Sequence, residues 1–422
     1  MVEPVPLRAV QRQSWIDRFV EVTEGIESPR LFRRWSAVAA VSGALERKCW
    51  SITWGTVYPN LFVVLTANPG IGKTIIIELV HRLWTNVKTA DLNIAPTTVT
   101  KAALIDHYAQ YGLRTVPGKM DVFHSCLIPA RELGHLISEF DLPFLNTLND
   151  FYDCNAVPYI ERTRKLGEIK LQEPHMVMLA GAQPAWITSV FPEAAFAMGT
   201  ASRIVFVYSA EITKAPLWDN LEDDIAVRPN PVKDRVLTTL GPELDRIAEM
   251  YGCFLWTASA KRLVTTWVDE GYPPVPQHHR LRHYATRRLV VLLKLAMVMS
   301  AAESSDLVIR EEHVNQAMGL LFETETLMPE IFKEMSTIGG QGAIINDMIN
   351  WMHLVYNKRM HKPIPEARLW EFLKSRLPAS QIKHTIETLI QSNLIREAPA
   401  GKGPARGRLF VPVRQEELLE DD

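Results

Sequence analysis

The chain has 422 residues, 47% hydrophobic and 22% charged, with 46 lysines and arginines set against 48 aspartates and glutamates. This describes an ordinary soluble globular protein of roughly two or three domains, long enough to fold on its own cores without staples. The near-balance of charge excludes a global field for a polyanion, so nucleic-acid contact has to come from local basic patches.

Residues 1–48 form an N-terminal helical segment: Ser14 to Glu24 is amphipathic, and Ser28-Pro29 reads as an N-cap and first-turn pair for a helix to about Lys48. Trp50 to Trp54, with Tyr58, is a short β element. Trp35, Trp50 and Trp54 are candidates either for an adenine pocket or for core.

The stretch Leu61 to Leu83, LFVVLTANPGIGKTIIIELVHRL, runs from a β-branched strand through a glycine-bearing loop into an apolar helix, and Ala67 to Thr74 fits the P-loop pattern with Ala at the first glycine position. Gly70 and Gly72 let backbone N–H groups curl around phosphates, and the helix start turns its positive end toward them. The expected ligand is ATP with Mg2+, bound by Asn68, Pro69, Gly70, Ile71, Gly72, Lys73, Thr74 and Ile75. Lys73 neutralises phosphate oxygens and the Thr74 hydroxyl is the expected metal ligand.

Asn93 to Val99 reads as a second short strand, and Thr100 caps a helix over Lys101–Tyr111 that stops at Gly112. Val122 to Ile128 is an apolar strand ending in Pro129-Ala130-Arg131-Glu132, with a helix expected from about Leu133 to Phe140. A P-loop ATPase carries two acids at such a strand end, one for the Mg2+ shell and one as base for the attacking water. Glu132 suits the base, or is a helix-start glutamate; Ala130-Arg131 stand where the metal-shell Asp belongs.

Asn155 to Glu173 has hairpin grammar with a basic tip, and Arg162, Arg164 and Lys165 either grip phosphates or form a solvated turn. His175 to Ala182 is a buried strand whose exit puts Gln183 where a γ-phosphate sensor would lie. Arg203, just before the strand Ile204 to Tyr208, suits an arginine finger for a neighbouring subunit or a strand-flanking salt bridge. Strands alternating with helices through 60–208 give an α/β sheet covered on both faces, so the ATPase core is placed at 49–215.

Pro216 to Pro231 is a connector, and the pattern from about Val232 to Met335 is helical, a lid over 216–338 whose long helix opens with Arg287 and Arg288, candidates to touch phosphate on closure. After a hinge at Gly339 to Gly342, residues 339–414 carry three helical patterns and a Gly/Lys/Arg-tipped ribbon, the makings of a winged helix. Lys383, with His384, on its third helix and Lys402, Arg406 and Arg408 on the wing are the candidate DNA contacts, although such modules also dock proteins. Residues 415–422 form an acidic tail. The four cysteines show no metal or CxxC spacing, no basic-then-apolar leader is seen, and the apolar run Leu289 to Ala302 is too short for a bilayer, so a reducing cytoplasm and no membrane role are expected.

With these pieces placed, the chain resembles the AAA+ ATPases of DNA replication, especially the helicase-like ATPases of phages and mobile elements. YPNLFVVLTANPGIGKT, REL, LAGAQP and GTASRIVFVYS carry the likeness over about residues 30–335. The motif order is also similar to minichromosome maintenance helicases, whose SRF-type finger is matched by Ser202-Arg203-Ile204. The resemblance implies an AAA+ P-loop core with helical lid and C-terminal winged helix, assembled as a homo-oligomeric ring, a hexamer, in the host cytoplasm if phage-encoded. ATP would lie between subunits, with Lys73, Thr74 and Glu132 from one and Arg203 from the next, and Arg287 as the lid sensor. Single-stranded DNA would run in the channel along Arg162, Arg164 and Lys165, with duplex at the winged helix and replisome proteins as further partners. The implied function is a DNA helicase or translocase in phage or mobile-element replication. The alternative is an initiator or helicase loader using ATP as an assembly switch; a small-molecule or RNA kinase is a third class, against which the lid and winged helix argue. The missing strand-end Asp implies weak or unusually organised hydrolysis.

Overall fold

The computed structural model describes residues 13–96, 100–116, 118–137, 142–163, 167–190, 199–214, 231–276, 278–338, 341–358, 362–374, 377, 379–399 and 408–413. The expected connector after 215, the glycines of the hinge at 339–340, the acidic tail, and Arg164, Lys165, Lys402 and Arg406 lie outside these residues. The chain divides into two compact units, 1–331 and 332–422.

The first unit opens with α1 (Trp15–Val22), capped by the Ser14 hydroxyl, and α2 (Arg30–Leu45). The small and apolar residues of α2 are buried almost all round, as befits a helix through the middle of a core. Its N-cap is Pro29, and the Ser28 side chain makes no cap bond. There follow β1 (Cys49–Ile52), β2 (Thr56–Val57), β3 (Phe62–Thr66), α3 (Lys73–Thr85), α4 (Lys101–Tyr111), β4 (Leu113–Thr115), β5 (Val122–Ala130) and α5 (Leu142–Asp153). The hairpin β6 (Tyr159–Thr163) and β7 (Gly167–Leu171) leads to β8 (His175–Ala182), α6 (Pro184–Val190) and β9 (Ile204–Tyr208).

The main sheet has the order β4-β5-β8-β3-β9, with β5, β8, β3 and β9 parallel and β4 antiparallel on the β5 edge. Every residue of β3 and β8 is buried, the continuous apolar pattern of parallel strands covered on both faces. Where a second strand is expected near Asn93, Ile94 makes a single parallel bridge to Leu127 on the β5 edge. Past Glu132 a short 3-10 turn, Leu133–His135, precedes the unanticipated α5.

The rest of the unit is α7 (Pro231–Ala248), β10 (Gly252–Trp256), α8 (Ala258–Asp269), α9 (Arg282–Ala285), α10 (Arg288–Glu303), β11 (Val308–Ile309) and α11 (Glu311–Ile338). Among the described residues of this stretch, expected to be helical, β10 and β11 interrupt the helices. β10 pairs in parallel with β1 and β11, making a second sheet of order β11-β10-β1-β2. The partner that makes Gly252–Trp256 a strand lies some 200 positions back, and no local periodicity reports it.

The second unit contains α12 (Gln341–Lys358), β12 (Ile364–Pro365), α13 (Glu366–Leu373), α14 (Ala379–Gln391), β13 (Ile395–Ala398) and β14 (Leu409–Pro412). Its antiparallel sheet runs β12-β14-β13, and Met348, Met352, Leu369, Leu373, Ile386 and Phe410 are among its buried core. The chain as a whole is a mixed α/β structure with parallel sheets.

Candidate functional site

Between the end of β3 and the start of α3 the backbone turns sharply, with Gly70 at φ 84° and Gly72 at φ 74°, the left-handed region that side chains avoid. Gly72 is the N-cap of α3 and supplies no capping side chain, so the first-turn N–H groups are left for an outside acceptor. Gly72 is constrained a second time. A Cβ there would stand 1.6 Å from the Glu27 carbonyl oxygen, because the turn before α2 presses on the loop. Arg33 fastens that turn, donating to the carbonyls of Ser28 (3.2 Å) and Val20 (2.6 Å). Nothing in the sequence around Glu27 marks this contact.

Lys73 is buried, and its Nζ donates to the carbonyls of Ala67 (2.6 Å) and Asn68 (3.0 Å) in its own loop. Burial lowers its pKa, and the negative charge of Glu132 opposes that shift. Asn68, Pro69, Gly70 and Thr74 are exposed, and Ile71 and Ile75 half-buried. Two left-handed glycines, an uncapped helix start, an ammonium held by loop carbonyls and an exposed hydroxyl next to it form a donor set that fits a triphosphate carrying a hard cation.

The two polar groups expected beside this loop follow neighbouring strands. β8 lies between β3 and β5, so the loop, Gln183 and Glu132 leave the same end of the sheet. Both side chains are half-buried. Gly181 admits the backbone here: a Cβ would lie 2.4 Å from the Arg131 carbonyl oxygen. At the position expected for a metal-shell Asp, Ala130 is buried and Arg131 reaches out to Glu78 of α3, Nε to Oε1 3.1 Å. Glu78 is an acid at this mouth that sequence reasoning passed over, although its spacing of four from Thr74 on one helix is visible there.

Arg203 and Arg287 lie at the opposite end. Ile204 is in register with Phe62 and Tyr208 with Thr66, so Arg203 sits below the start of β3, roughly 16–20 Å from the loop at ~3.3 Å per residue. Its guanidinium is nearly buried on Asp153, with Nε to Oδ1 2.9 Å and Nη2 to Oδ2 2.5 Å, and a third bond goes to the Gly199 carbonyl. Arg287 approaches the same carboxylate at 3.9 Å and is therefore out of reach of its own loop. Arg288, the other candidate at that helix start, is fully buried on Glu325 and on the carbonyls of Tyr272 and Pro274, a structural role rather than a phosphate contact. One face of this cluster opens on a cleft of about 260 Å³ lined by Trp54, Tyr58, Asp153, Arg287 and Lys294.

The tryptophans form no adenine pocket. Trp35 is core, its indole donating to Thr324, whereas Trp50 packs edge-on to Tyr251 and Trp54 is 69% exposed. Of the hairpin cations, Arg162 is 83% exposed and pairs across the strands with Glu168 at 3.1 Å. In the second unit Lys383 and His384 are exposed on α14, and Arg408 is half-exposed and paired with Glu397 at 3.0 Å.

Among the described residues no helix is long and apolar enough to cross a membrane, and no group of three or more His, Cys, Asp or Glu side chains is gathered as a metal cage. The sequence matches no protein-family model and no curated protein.

Proposed function

We propose that the chain is an ATPase of AAA+ type that assembles as a ring and drives DNA translocation or unwinding in phage or mobile-element replication. The observation that carries the reading is the loop between β3 and α3, where Gly70, Gly72 and Lys73 build a phosphate cradle at the same sheet end as Glu132 and Gln183. Arg203 is too far from its own loop to act there and is held in a strand-flanking salt bridge with Asp153, so a finger role would require it to leave that pair for a nucleotide held by a neighbouring copy.

In this reading bound MgATP supplies the phosphoanhydride to be split. Lys73 and the α3 start would neutralise the phosphates, Gln183 would sense the γ-phosphate and Glu132 would take the proton of the attacking water. Thr74 would hold the metal. The helices and antiparallel sheet of residues 341–413 support the winged-helix reading, with Lys383 facing solvent.

The deciding experiment is ATP turnover and mass in solution, with and without single-stranded DNA, on the native chain and on Lys73→Ala. A hexamer-sized assembly with DNA-stimulated turnover that Lys73→Ala abolishes supports the motor. Unchanged turnover in Lys73→Ala overturns the ATPase. The pairing of Arg162 with Glu168 favours a second reading, an initiator or loader, because it offsets charge that a DNA-gripping hairpin needs; a small nucleotide-dependent assembly with unstimulated turnover would select it.

A further inference from the structure

Phosphoryl-transfer sites of this type hold Mg2+ through the loop Ser/Thr and an acid at a neighbouring strand end. Here Ala130 and Arg131 occupy that strand end, and neither can bind a cation. A carboxylate from the helix reaches this strand end. Glu78 is the single acidic residue of α3 and stands four positions after Thr74, so the two share a helix face. Helical side chains lean toward the N-terminus, which carries the Glu78 carboxylate back toward the Thr74 hydroxyl. Its Oε1 lies 3.1 Å from Nε of Arg131, the residue in the strand-end position.

We propose that Glu78 provides, directly or through a coordinated water, the carboxylate of the Mg2+ shell, and that Arg131 holds it at the mouth of the site. The acid reaches the place from the helix side because the strand side supplies a cation. Stability alone gives little reason for the pair: both side chains are partly exposed, and exposed ion pairs contribute at most about 1 kcal/mol. Glu132 stays available as base on the Lys73 side of the mouth, where its charge acts on that ammonium.

The inference rests on the ATP site proposed above, and its test separates the two. ATP affinity of the full chain is measured by calorimetry in excess EDTA and across a Mg2+ titration, for the native protein, Glu78→Gln and Arg131→Gln. The expected result is that Glu78→Gln keeps the native melting temperature and Mg-free ATP affinity while the Mg2+ midpoint rises about tenfold or more, the size seen when a metal-shell partner is lost. Arg131→Gln should also raise that midpoint, but by less than Glu78→Gln does, since it removes a positioning cation and leaves the carboxylate. An unchanged midpoint in Glu78→Gln overturns the proposal. So does a loss of Mg-free binding in Glu78→Gln, because that makes the pair a structural brace. A native chain that binds ATP in neither condition overturns the nucleotide site itself.

Discussion

Arg203 is gripped by Asp153 through two parallel hydrogen bonds, Nε to Oδ1 and Nη2 to Oδ2, at the end of the sheet opposite the glycine loop. Charge-assisted bidentate pairs with little solvent access couple strongly, and removing one partner strands the other. A double-mutant cycle with Asp153→Asn and Arg203→Gln, followed by urea unfolding, should give a coupling of about 1–3 kcal/mol. A coupling near zero would mean that the contact adds nothing to the fold.

The same arginine has a second expected readout. Arg203→Ala should bind ATP but not hydrolyse it, because its guanidinium lies too far from its own loop to affect nucleotide capture there. Mixed with Glu132→Gln subunits, it should recover part of the turnover, since some interfaces then join an intact Glu132 to an intact Arg203. Turnover that stays at zero in every mixing ratio counts against a site shared between copies.

Gly70 and Gly72 look equivalent in the sequence and are not. Both have positive φ, so alanine at either should cost about 1–2 kcal/mol for the left-handed backbone. Around Gly70 a Cβ meets open space, whereas at Gly72 it meets the Glu27 carbonyl at 1.6 Å, and backbone has to move. Nucleotide-free thermal melts should therefore rank native above Gly70→Ala, and Gly70→Ala above Gly72→Ala. Equal melts for the two variants would remove the Glu27 turn from the account of the loop.

What could be read locally came through well. Thr100 and Gly112 bracket α4 as a cap and a stop should, and the unbroken apolar run His175–Ala182 is β8 residue for residue. What depends on distant partners did not. β10 exists through pairing with Cys49–Ser51. Arg287 and Arg288 are adjacent in sequence, yet one lies at a cleft and the other is sealed against Glu325, 37 positions on. At the candidate site the glycine turn before α3 and the place of Glu132 just past β5 were legible from pattern, whereas the contacts of Glu27 and Glu78 arise only from the backbone and the arginine that the fold brings to them.

The sealed pair invites its own measurement. Arg288 bonds Glu325 at 2.7 and 2.6 Å, Tyr284 donates to the same carboxylate, and burial raises the Glu325 pKa against the pull of Arg288. Glu325→Gln or Arg288→Met alone should destabilise by about 3–5 kcal/mol, each leaving a buried charge without its counterion. Arg288→Met combined with Glu325→Leu should recover part of that loss. Single variants that melt like the native chain would show that the pair is solvated.

Lys294 offers a pH-dependent test with a definite sign. Its Nζ is buried beneath α10, donating to Asn60 Oδ1 at 2.6 Å and lying 3.8 Å from the Tyr152 ring centroid. Burial first, and the charges of Arg203 and Arg287 after it, pull its pKa down to about 8, while Cys154 and Asp153 oppose the shift. Burial holds the thiol of Cys154 above its ordinary value. The folded chain thus releases the Lys294 proton at about 8, and the unfolded chain keeps it into the ordinary lysine range. Between those limits the unfolded state binds more protons, so stability rises with pH, by up to about 1.4 kcal/mol per unit. Urea unfolding of the native chain and of Lys294→Met at pH 7.5 and 9.5 should show the native chain gaining about 1–2 kcal/mol relative to the variant over that interval. Below pH 7 the amine is charged in both states and the difference should be flat. A difference that stays constant from pH 7.5 to 9.5 would mean that the amine reaches water, and the cleft beside Arg287 would then be wetter than its lining implies.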